Sequence, residues 1–110
     1  MPKVEHFERR AGGKGTIHIE HFLDAHQQHP AIKLYAKVTI DVNSSIGIHQ
    51  HVSDSESYVI VSGKGKYYDN GTYIEVKPND ILFCDDTQYH GLENIGDEPL
   101  VFFALIQKKD

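Results

Sequence analysis

Two histidines and a glutamate lie close together in the segment G-I-H-Q-H-V-S-D-S-E-S-Y-V-I-V-S-G, residues 47–63. One residue separates His49 from His51, so on an extended strand both side chains point to the same face, with Cα atoms about 6–7 Å apart. Two imidazoles at that separation can converge on one ion. Glu56 leads into an apolar strand, where a carboxylate is costly to bury alone and tolerable beside a cation. Imidazoles combined with a carboxylate suit Mn, Fe, Co, Ni or Zn.

A solvent-exposed strand offers a simpler explanation of the histidine pair. The chain contains 8 histidines, and polar residues alternate along any strand that has one face in water. Glu56 makes this alternative less attractive. A further histidine, His90, lies in C-D-D-T-Q-Y-H-G-L-E-N, residues 84–94, which ends another strand-and-turn unit.

The spacing of these residues resembles the first sequence motif of the cupin superfamily. That motif has the form H-x-H, three or four residues, Glu, six residues, Gly. His49, His51, Glu56 and Gly63 fit this pattern throughout.

The second cupin motif is matched as well. It places a proline turn, a short strand, a histidine and an asparagine four positions later, and Pro78, His90 and Asn94 agree in order and spacing. The likeness covers residues 34–106. It implies a barrel in which one divalent transition metal ion (Mn, Fe, Ni, Co or Zn) binds to the histidine pair, the glutamate and the second-motif histidine. In this sequence the implied ligands are His49, His51, Glu56 and His90.

Two turns depart from the cupin pattern. The glycine that often opens the first motif is Asn43 here, and the P-x-G that usually precedes the second-motif histidine reads Asp85-Asp86-Thr87. Both changes affect turns and leave the implied ligands in place. Asp54, Asp85 and Asp86 are expected to be solvated turn residues, and contact of one of them with the metal ion or substrate is the alternative.

Strands are predicted almost throughout the chain. Residues 33–41 alternate between apolar and polar side chains, which indicates a half-buried strand. Asn70-Gly71 supplies the positive φ angles of a two-residue hairpin turn and sets Asp69 opposite Thr72. Many short strands separated by turn residues predict an all-β fold, a small and largely antiparallel jelly-roll β-barrel. The cupin resemblance implies the same barrel, also called a double-stranded β-helix.

The length of the chain limits the number of domains, and its charge limits the class of partner. The chain of 110 residues, 39% of them hydrophobic, is enough for one core. We expect a single domain over residues 1–110, with residues 1–14 as an N-terminal arm. A formal net charge of −5 argues against nucleic acid or an anionic membrane as a partner.

The sequence favours a cytoplasmic location. The apolar run at residues 100–106 is much shorter than the roughly 20 residues that span a bilayer. The first ten residues contain no apolar targeting segment. Cys84 is a single cysteine and forms no internal disulfide, which fits a reducing compartment.

The implied ligand set favours an open, catalytic type of metal site. Four protein ligands leave a six-coordinate ion about two positions for water, dioxygen or substrate. We expect a mononuclear metalloenzyme of the dioxygenase or decarboxylase type acting on a small oxygen-rich molecule. A sugar or sugar-phosphate isomerase or epimerase is an alternative, although the basic pair Arg9-Arg10 lies outside the motifs. A non-catalytic small-molecule binding module is another.

A homodimer is the expected assembly. The strand predicted around residues 16–22 and the doubly apolar strand at residues 100–106 would leave hydrophobic surface exposed in a monomer. A second copy of the chain would cover it.

Overall fold

The Asn70-Gly71 pair turns the chain between two adjacent strands. In the computed structural model, which describes residues 3–109, both residues have positive φ angles, 47° and 103°. Asp69 lies opposite Thr72. The predicted hairpin is therefore confirmed, including its register.

Short strands account for most of residues 3–109, together with a single 3₁₀ turn, Arg10–Gly12. Every strand pair is antiparallel. The strands are β1 (Val4–Glu8), β2 (Thr16–His21), β3 (Ile32–Ile40), β4 (Ser45–Gln50), β5 (Asp54–Ser62), β6 (Gly65–Asp69), β7 (Thr72–Val76), β8 (Ile81–Cys84), β9 (Tyr89–Asn94) and β10 (Leu100–Lys108).

Two sheets pack against each other. One has six strands in the order β1-β2-β3-β10-β5-β8, and the other has four in the order β4-β9-β6-β7. Consecutive strands such as β3, β4 and β5 alternate between the sheets, so distant segments become neighbours. The predicted all-β, antiparallel jelly roll is confirmed.

The space between the sheets holds the hydrophobic core. On β3 the predicted alternation is confirmed, because Ala36, Val38 and Ile40 are buried. Phe102 on β10 is fully buried, whereas its neighbour Phe103 points away from the core and is 41% exposed. The outer face of β10 is therefore only partly covered by residues 3–109.

The first strand extends the larger sheet. Residues 4–8 pair with β2, and the 3₁₀ turn that follows packs against β4. The expectation of one domain over residues 1–110, with 1–14 as an arm, stays a prediction, and residues 1, 2 and 110 fall outside the described part. Within residues 3–109, no helix is long and apolar enough to cross a membrane.

Candidate metal centre

The pairing of β4 with β9 brings the two histidine segments together. His49 lies opposite His90 in the sheet, and their ring centroids are 4.7 Å apart. His51 follows just beyond the end of β4, with its ring centroid 5.2 Å from that of His49. The expected common direction of His49 and His51 is confirmed.

Glu56 reaches the same point from the other sheet. The strand β5 begins at Asp54, so Glu56 is its third residue. Alternate residues of a strand share a face, and Glu56 points inward like Tyr58. Its side chain is 5% exposed.

The donor atoms of the histidines and the glutamate converge on one position. Nε2 of His51 is 3.0 Å from Oε1 of Glu56 and 3.0 Å from Nε2 of His90. Nε2 of His90 is 3.1 Å from the same glutamate oxygen. With His49 included, one donor atom from each of the four residues lies within 4.8 Å of the others.

These separations fit a shared metal ion. An ion with bonds of about 2.1 Å holds adjacent ligand atoms about 3 Å apart. Three donors in the centre are separated by 3.0–3.1 Å. Imidazole nitrogens with a carboxylate oxygen form a set that Mn, Fe, Co, Ni or Zn accepts. The residues present could therefore hold a divalent transition metal ion.

Hydrogen bonds on the far side of two rings leave their Nε2 atoms free. Nδ1 of His49 lies 2.7 Å from the carbonyl oxygen of Gly47, and Nδ1 of His51 lies 2.7 Å from Oδ1 of Asp54. A carbonyl and a carboxylate only accept hydrogen bonds, so these Nδ1 atoms carry the protons. The lone pairs on Nε2 then face the centre, as in known histidine metal ligands.

The third imidazole is held by aromatic neighbours. Nδ1 of His90 lies 2.8 Å from the hydroxyl oxygen of Tyr67. Burial raises the pKa of Tyr67 above its usual range, so this group stays a hydroxyl and its oxygen can accept from the ring. The ring of Tyr58 stacks on His90 with centroids 5.1 Å apart. Together the two tyrosines fix the plane of the imidazole.

Asp54 is buried, so the prediction of a solvated turn residue is wrong for this position. It is 5% exposed, and Nζ of Lys33 donates to Oδ2 at 2.6 Å while His51 donates to Oδ1. Burial acts to raise the pKa of Asp54, but these two hydrogen bonds outweigh burial and hold it below its usual value. A strand that begins at Asp54 would have predicted this burial, because Asp54 and Glu56 are two residues apart and lie on the same face of the strand.

Ionisation within the centre favours a bound cation. Burial acts to raise the pKa of Glu56, yet the adjacent imidazoles of His51 and His90 lower it overall, so the group is a carboxylate at neutral pH. Burial lowers the pKa of His49, which keeps that imidazole neutral. The neutral imidazole of His49 therefore offers a lone pair, and the carboxylate of Glu56 offers a negative charge, to the same point.

Cys84 lies opposite Glu56 in the sheet, but its sulfur is not among the donor atoms that converge on the centre. Burial raises the pKa of the Cys84 thiol to about 12, and the charge of Glu56 adds to the effect. The residue is therefore a neutral neighbour of the centre in the metal-free chain.

The centre opens into a cavity of about 520 Å³. This volume suits a small molecule. Arg10, Lys33 and Gln50 are among the residues that line the cavity. Apolar side chains form most of its remaining wall, among them Ile17, Ile19, Val38, Ile46, Phe102 and Ile106.

The other histidines of β1 and β2 lie elsewhere. Nε2 of His18 is 2.9 Å from Asp41, and Nε2 of His21 is 2.7 Å from Glu5. Among residues 3–109, the group on β4, β5 and β9 is the one place where three or more His, Cys, Asp or Glu side chains are arranged to hold an ion.

The two departures from the cupin pattern occur at positions with a left-handed backbone. Asn43 has a φ of 63° and Thr87 a φ of 72°. Glycine adopts this left-handed region without cost, which explains why a glycine is common in the corresponding turns. The turn at Thr87 also fixes the backbone at a proposed ligand, because the N–H of Thr87 donates to the carbonyl oxygen of His51 at 2.7 Å. Asp85 and Asp86 lie in this turn, as predicted.

Comparison with known proteins agrees with this fold. The cupin domain family profile matches residues 36–106, more than half of the sequence. The chain belongs to the cupin family. The resemblance inferred from the two motifs is thereby confirmed.

Two of the similar proteins found come from Thermotoga maritima. An oxalate-binding protein from this organism is 34% identical over 102 residues, which cover 93% of this chain and 84% of the relative. The crystal structure of a Thermotoga maritima protein described as a predicted oxalate decarboxylase superposes with a TM-score of 0.91 at 33% identity, covering 97% of this chain and 93% of the other.

More distant cupins share the fold alone. A Cupin 2 conserved barrel domain protein from Salinispora arenicola superposes with a TM-score of 0.72 at 14% identity, covering 84% of this chain and 76% of the other. Identity this low carries no information about the ligand. The two proteins therefore share the jelly-roll fold although few of their aligned residues are identical.

Proposed function

We propose that this cupin binds one divalent transition metal ion and uses it to bind a small oxygen-rich anion, as a mononuclear metalloenzyme of the decarboxylase or dioxygenase type. The proposal depends on one observation, the convergence of four donor atoms within 4.8 Å at a small-molecule cavity. The proposed ligands are His49, His51, Glu56 and His90.

The side chains around the ion define what it can bind. A divalent ion bound here supplies Lewis acidity toward an oxygen ligand. Glu56 is the single carboxylate among the proposed ligands, so the centre keeps a net positive charge that attracts anions. The apolar cavity wall limits water around the bound oxygen atoms and strengthens their electrostatic interactions. A carboxylate or deprotonated hydroxy acid fits these conditions.

Oxalate is the first candidate ligand. The Thermotoga maritima relative is an oxalate-binding protein, and oxalate offers two oxygen atoms to adjacent positions on an ion. Decarboxylation of oxalate breaks the carbon–carbon bond, releases carbon dioxide and requires one proton at the remaining carbon to give formate. A dioxygen-dependent reaction would instead release two molecules of carbon dioxide and reduce dioxygen to hydrogen peroxide.

A binding module without turnover is the second candidate function. Asp54 and Glu56 are the carboxylic acids that line the cavity, and hydrogen bonds keep both ionised. Burial and the charge of Glu56 raise the pKa of Tyr58 far above its usual value, which makes it a weak acid. Among residues 3–109, the cavity therefore lacks an evident protonated carboxylic acid for formate production.

The proposal is tested by metal content and oxalate turnover. The protein is purified without added metals or chelators and analysed by mass spectrometry of the elements. We expect about one transition metal ion per chain in the wild type and less than a tenth of that in His51→Ala, whose circular dichroism should remain that of a β protein. Metal retained at the wild-type level in His51→Ala would contradict the proposed site.

Turnover separates the two candidate functions. The metal-loaded protein is incubated with oxalate while formate, hydrogen peroxide and dioxygen are measured. Formate without dioxygen consumption supports a decarboxylase, and peroxide with dioxygen consumption supports an oxidase-type reaction. Oxalate binding by calorimetry with neither product supports the binding module.

A homodimer and a cytoplasmic location also remain proposals. Ile81 of β8, Val59 of β5 and Phe103 of β10 are adjacent across the outer face of the larger sheet, and they are 73%, 38% and 41% exposed. An apolar row of this kind favours a covering surface. Light scattering should give twice the mass of one chain, and Ile81→Asp should lower it. The location is supported by Cys84, the single cysteine.

A further inference from the structure

A short segment near the N-terminus forms part of the cavity wall. Arg10 and Ala11 line the same cavity as the proposed metal ligands. The backbone there is strained, since Arg9 has a φ of 53° and Ala11 a φ of 54°. A left-handed non-glycine residue costs about 1–2 kcal/mol, and such residues persist where the surrounding structure holds them in place.

Two glycines allow this segment to pack directly against β4, the strand that carries His49. A Cβ atom added to Gly47 would overlap the carbonyl oxygen of Ala11, and one added to Gly13 would overlap the carbonyl oxygen of Ser45. The backbones therefore touch directly. The carbonyl of Gly47 also accepts the hydrogen bond from Nδ1 of His49. One residue thus positions both the N-terminal segment and a proposed ligand.

Among residues 3–109, no side chain forms an ion pair with Arg10. Two basic residues, Arg10 and Lys33, line the cavity. Lys33 forms an ion pair with Asp54 at 2.6 Å. The guanidinium of Arg10 lies 4.3 Å from the ring centroid of Phe7. Stacking on a ring leaves the in-plane N–H groups of a guanidinium available.

The charges around the cavity favour a dianion. Lys33 and Asp54 cancel each other. Glu56 offsets one charge of a divalent ion, and Arg10 contributes one more positive charge. The loaded cavity is therefore doubly positive, and a dicarboxylate would neutralise it. A monocarboxylate would leave one positive charge unmatched.

We propose that Arg10 is the residue that selects small dicarboxylates, by binding the carboxylate at the far end of a molecule whose near end binds the metal ion. This inference rests on the proposed metal-dependent function. The guanidinium presents paired N–H donors that match the two oxygens of a carboxylate. Arg10 would thereby determine specificity while the four ligands hold the ion.

Arg9 supplies a matched control. Arg9 and Arg10 are the two arginines of the chain, and they are adjacent in one strained segment, but only Arg10 lines the cavity. Arg9→Gln and Arg10→Gln change the net charge equally. We expect the dissociation constant for oxalate, measured by calorimetry on manganese-loaded protein, to rise about tenfold or more in Arg10→Gln and less than twofold in Arg9→Gln.

Acetate and metal affinity complete the comparison. Arg10→Gln should change the affinity for acetate, a monocarboxylate, much less than the affinity for oxalate. Manganese affinity without oxalate should match the wild type in both variants. Equal effects of the two substitutions on oxalate binding would overturn the role of Arg10 and leave the metal site standing. Failure of the wild type to bind any of manganese, iron, cobalt, nickel or zinc would instead overturn the proposed function.

Chemical modification tests the same inference on the wild-type chain. Phenylglyoxal reacts with exposed arginines, and mass spectrometry distinguishes the two modified residues. We expect oxalate to slow modification of Arg10 at least fivefold in the manganese-loaded protein, with Arg9 unchanged. Protection that is equal at both positions, or absent at Arg10, would contradict the inference.

Discussion

Asp54 accepts a hydrogen bond from Nδ1 of His51 at 2.7 Å, while Nε2 of the same ring faces the centre of the candidate metal site. The carboxylate fixes which ring nitrogen carries the proton and increases the basicity of the other. It is itself buried and paired with Lys33. Asp54 therefore orients a proposed ligand and is not itself one of the proposed ligands.

Replacing Asp54 with asparagine should weaken metal binding. Asp54→Asn keeps the size of the side chain and removes the charge that orients His51. We expect the affinity for manganese or cobalt to fall about 10–100-fold, as measured by competition with a chelator of known affinity.

Asp86→Asn is the matched control for this prediction. Asp86 accepts from the N–H of Ser53 and lies in a turn, so its substitution makes the same change in net charge but keeps the His51–Asp54 hydrogen bond. Metal affinity in Asp86→Asn should stay within about twofold of the wild type. Equal losses in the two variants would show that general electrostatics, and not the His51–Asp54 bond, is responsible.

Metal retention should decrease with falling pH, starting above the ordinary imidazole pKa of about 6.5. The hydrogen bond to Glu56 raises the pKa of His51 despite the opposing effect of burial. In the metal-free chain His51 therefore takes up its proton at a higher pH than an ordinary histidine. A proton on Nε2 blocks coordination, so proton uptake competes with the ion as pH falls.

Calorimetry in buffers of different ionisation enthalpy measures this competition. Metal binding should release more protons near pH 6.5 than near pH 8.5, and the apparent affinity should increase over the same interval. An affinity that stays constant from pH 8.5 to 5 would argue against imidazole ligands.

The sequence predicts the proposed ligands better than it predicts their supports. His49, His51 and Glu56 are close in sequence, and the strand period of two places the histidines on one face. His90 joins them through a sheet pairing that no local pattern specifies, so the cupin resemblance was needed to include it. The hydrogen bond between His90 and Tyr67 depends on the same long-range pairing of β6 with β9.

Local context also misleads where a strand begins earlier than expected. Asp54 lies in V-S-D-S, a segment with turn-forming residues, and a solvated aspartate was the natural expectation. In the folded chain β5 starts at this residue because it pairs with Lys108 on β10. Tertiary pairing therefore overrides local composition, and the carboxylate becomes buried beside Lys33.

Thr87 should be replaceable by glycine with a gain in stability. Its φ of 72° is unfavourable for a β-branched residue. Thr87→Gly removes that strain and loses part of the benefit through the greater freedom of the unfolded chain. We expect the free energy of unfolding to increase by about 1 kcal/mol in urea denaturation.

Asn79→Gly serves as the comparison for Thr87→Gly. Asn79 also has a positive φ, 77°, but asparagine tolerates this region, so its substitution should bring no gain. Metal affinity should remain unchanged in Thr87→Gly, because the backbone bond to His51 is retained. A loss of stability in Thr87→Gly would show that the threonine side chain makes a compensating contribution.

Asn94, the last residue matched to the second motif, should contribute to stability and not to metal binding. Its buried amide donates to the carbonyl oxygens of Ile40 at 3.0 Å and Glu98 at 2.9 Å, and its Oδ1 accepts from the N–H of Gly96 at 2.9 Å. These bonds tie the end of β9 to the end of β3.

Asn94→Ala leaves several of these backbone groups without partners. We expect the free energy of unfolding to decrease by about 3 kcal/mol, whereas Gln107→Ala, at an exposed position, should change it by less than about 0.5 kcal/mol. The two proteins are compared by urea denaturation, with manganese affinity measured on the folded state. Because the Asn94 side chain forms no hydrogen bond with the proposed ligands, that affinity should stay within about threefold of the wild type. A large loss of metal with little change in stability would mean that Asn94 acts on the centre itself.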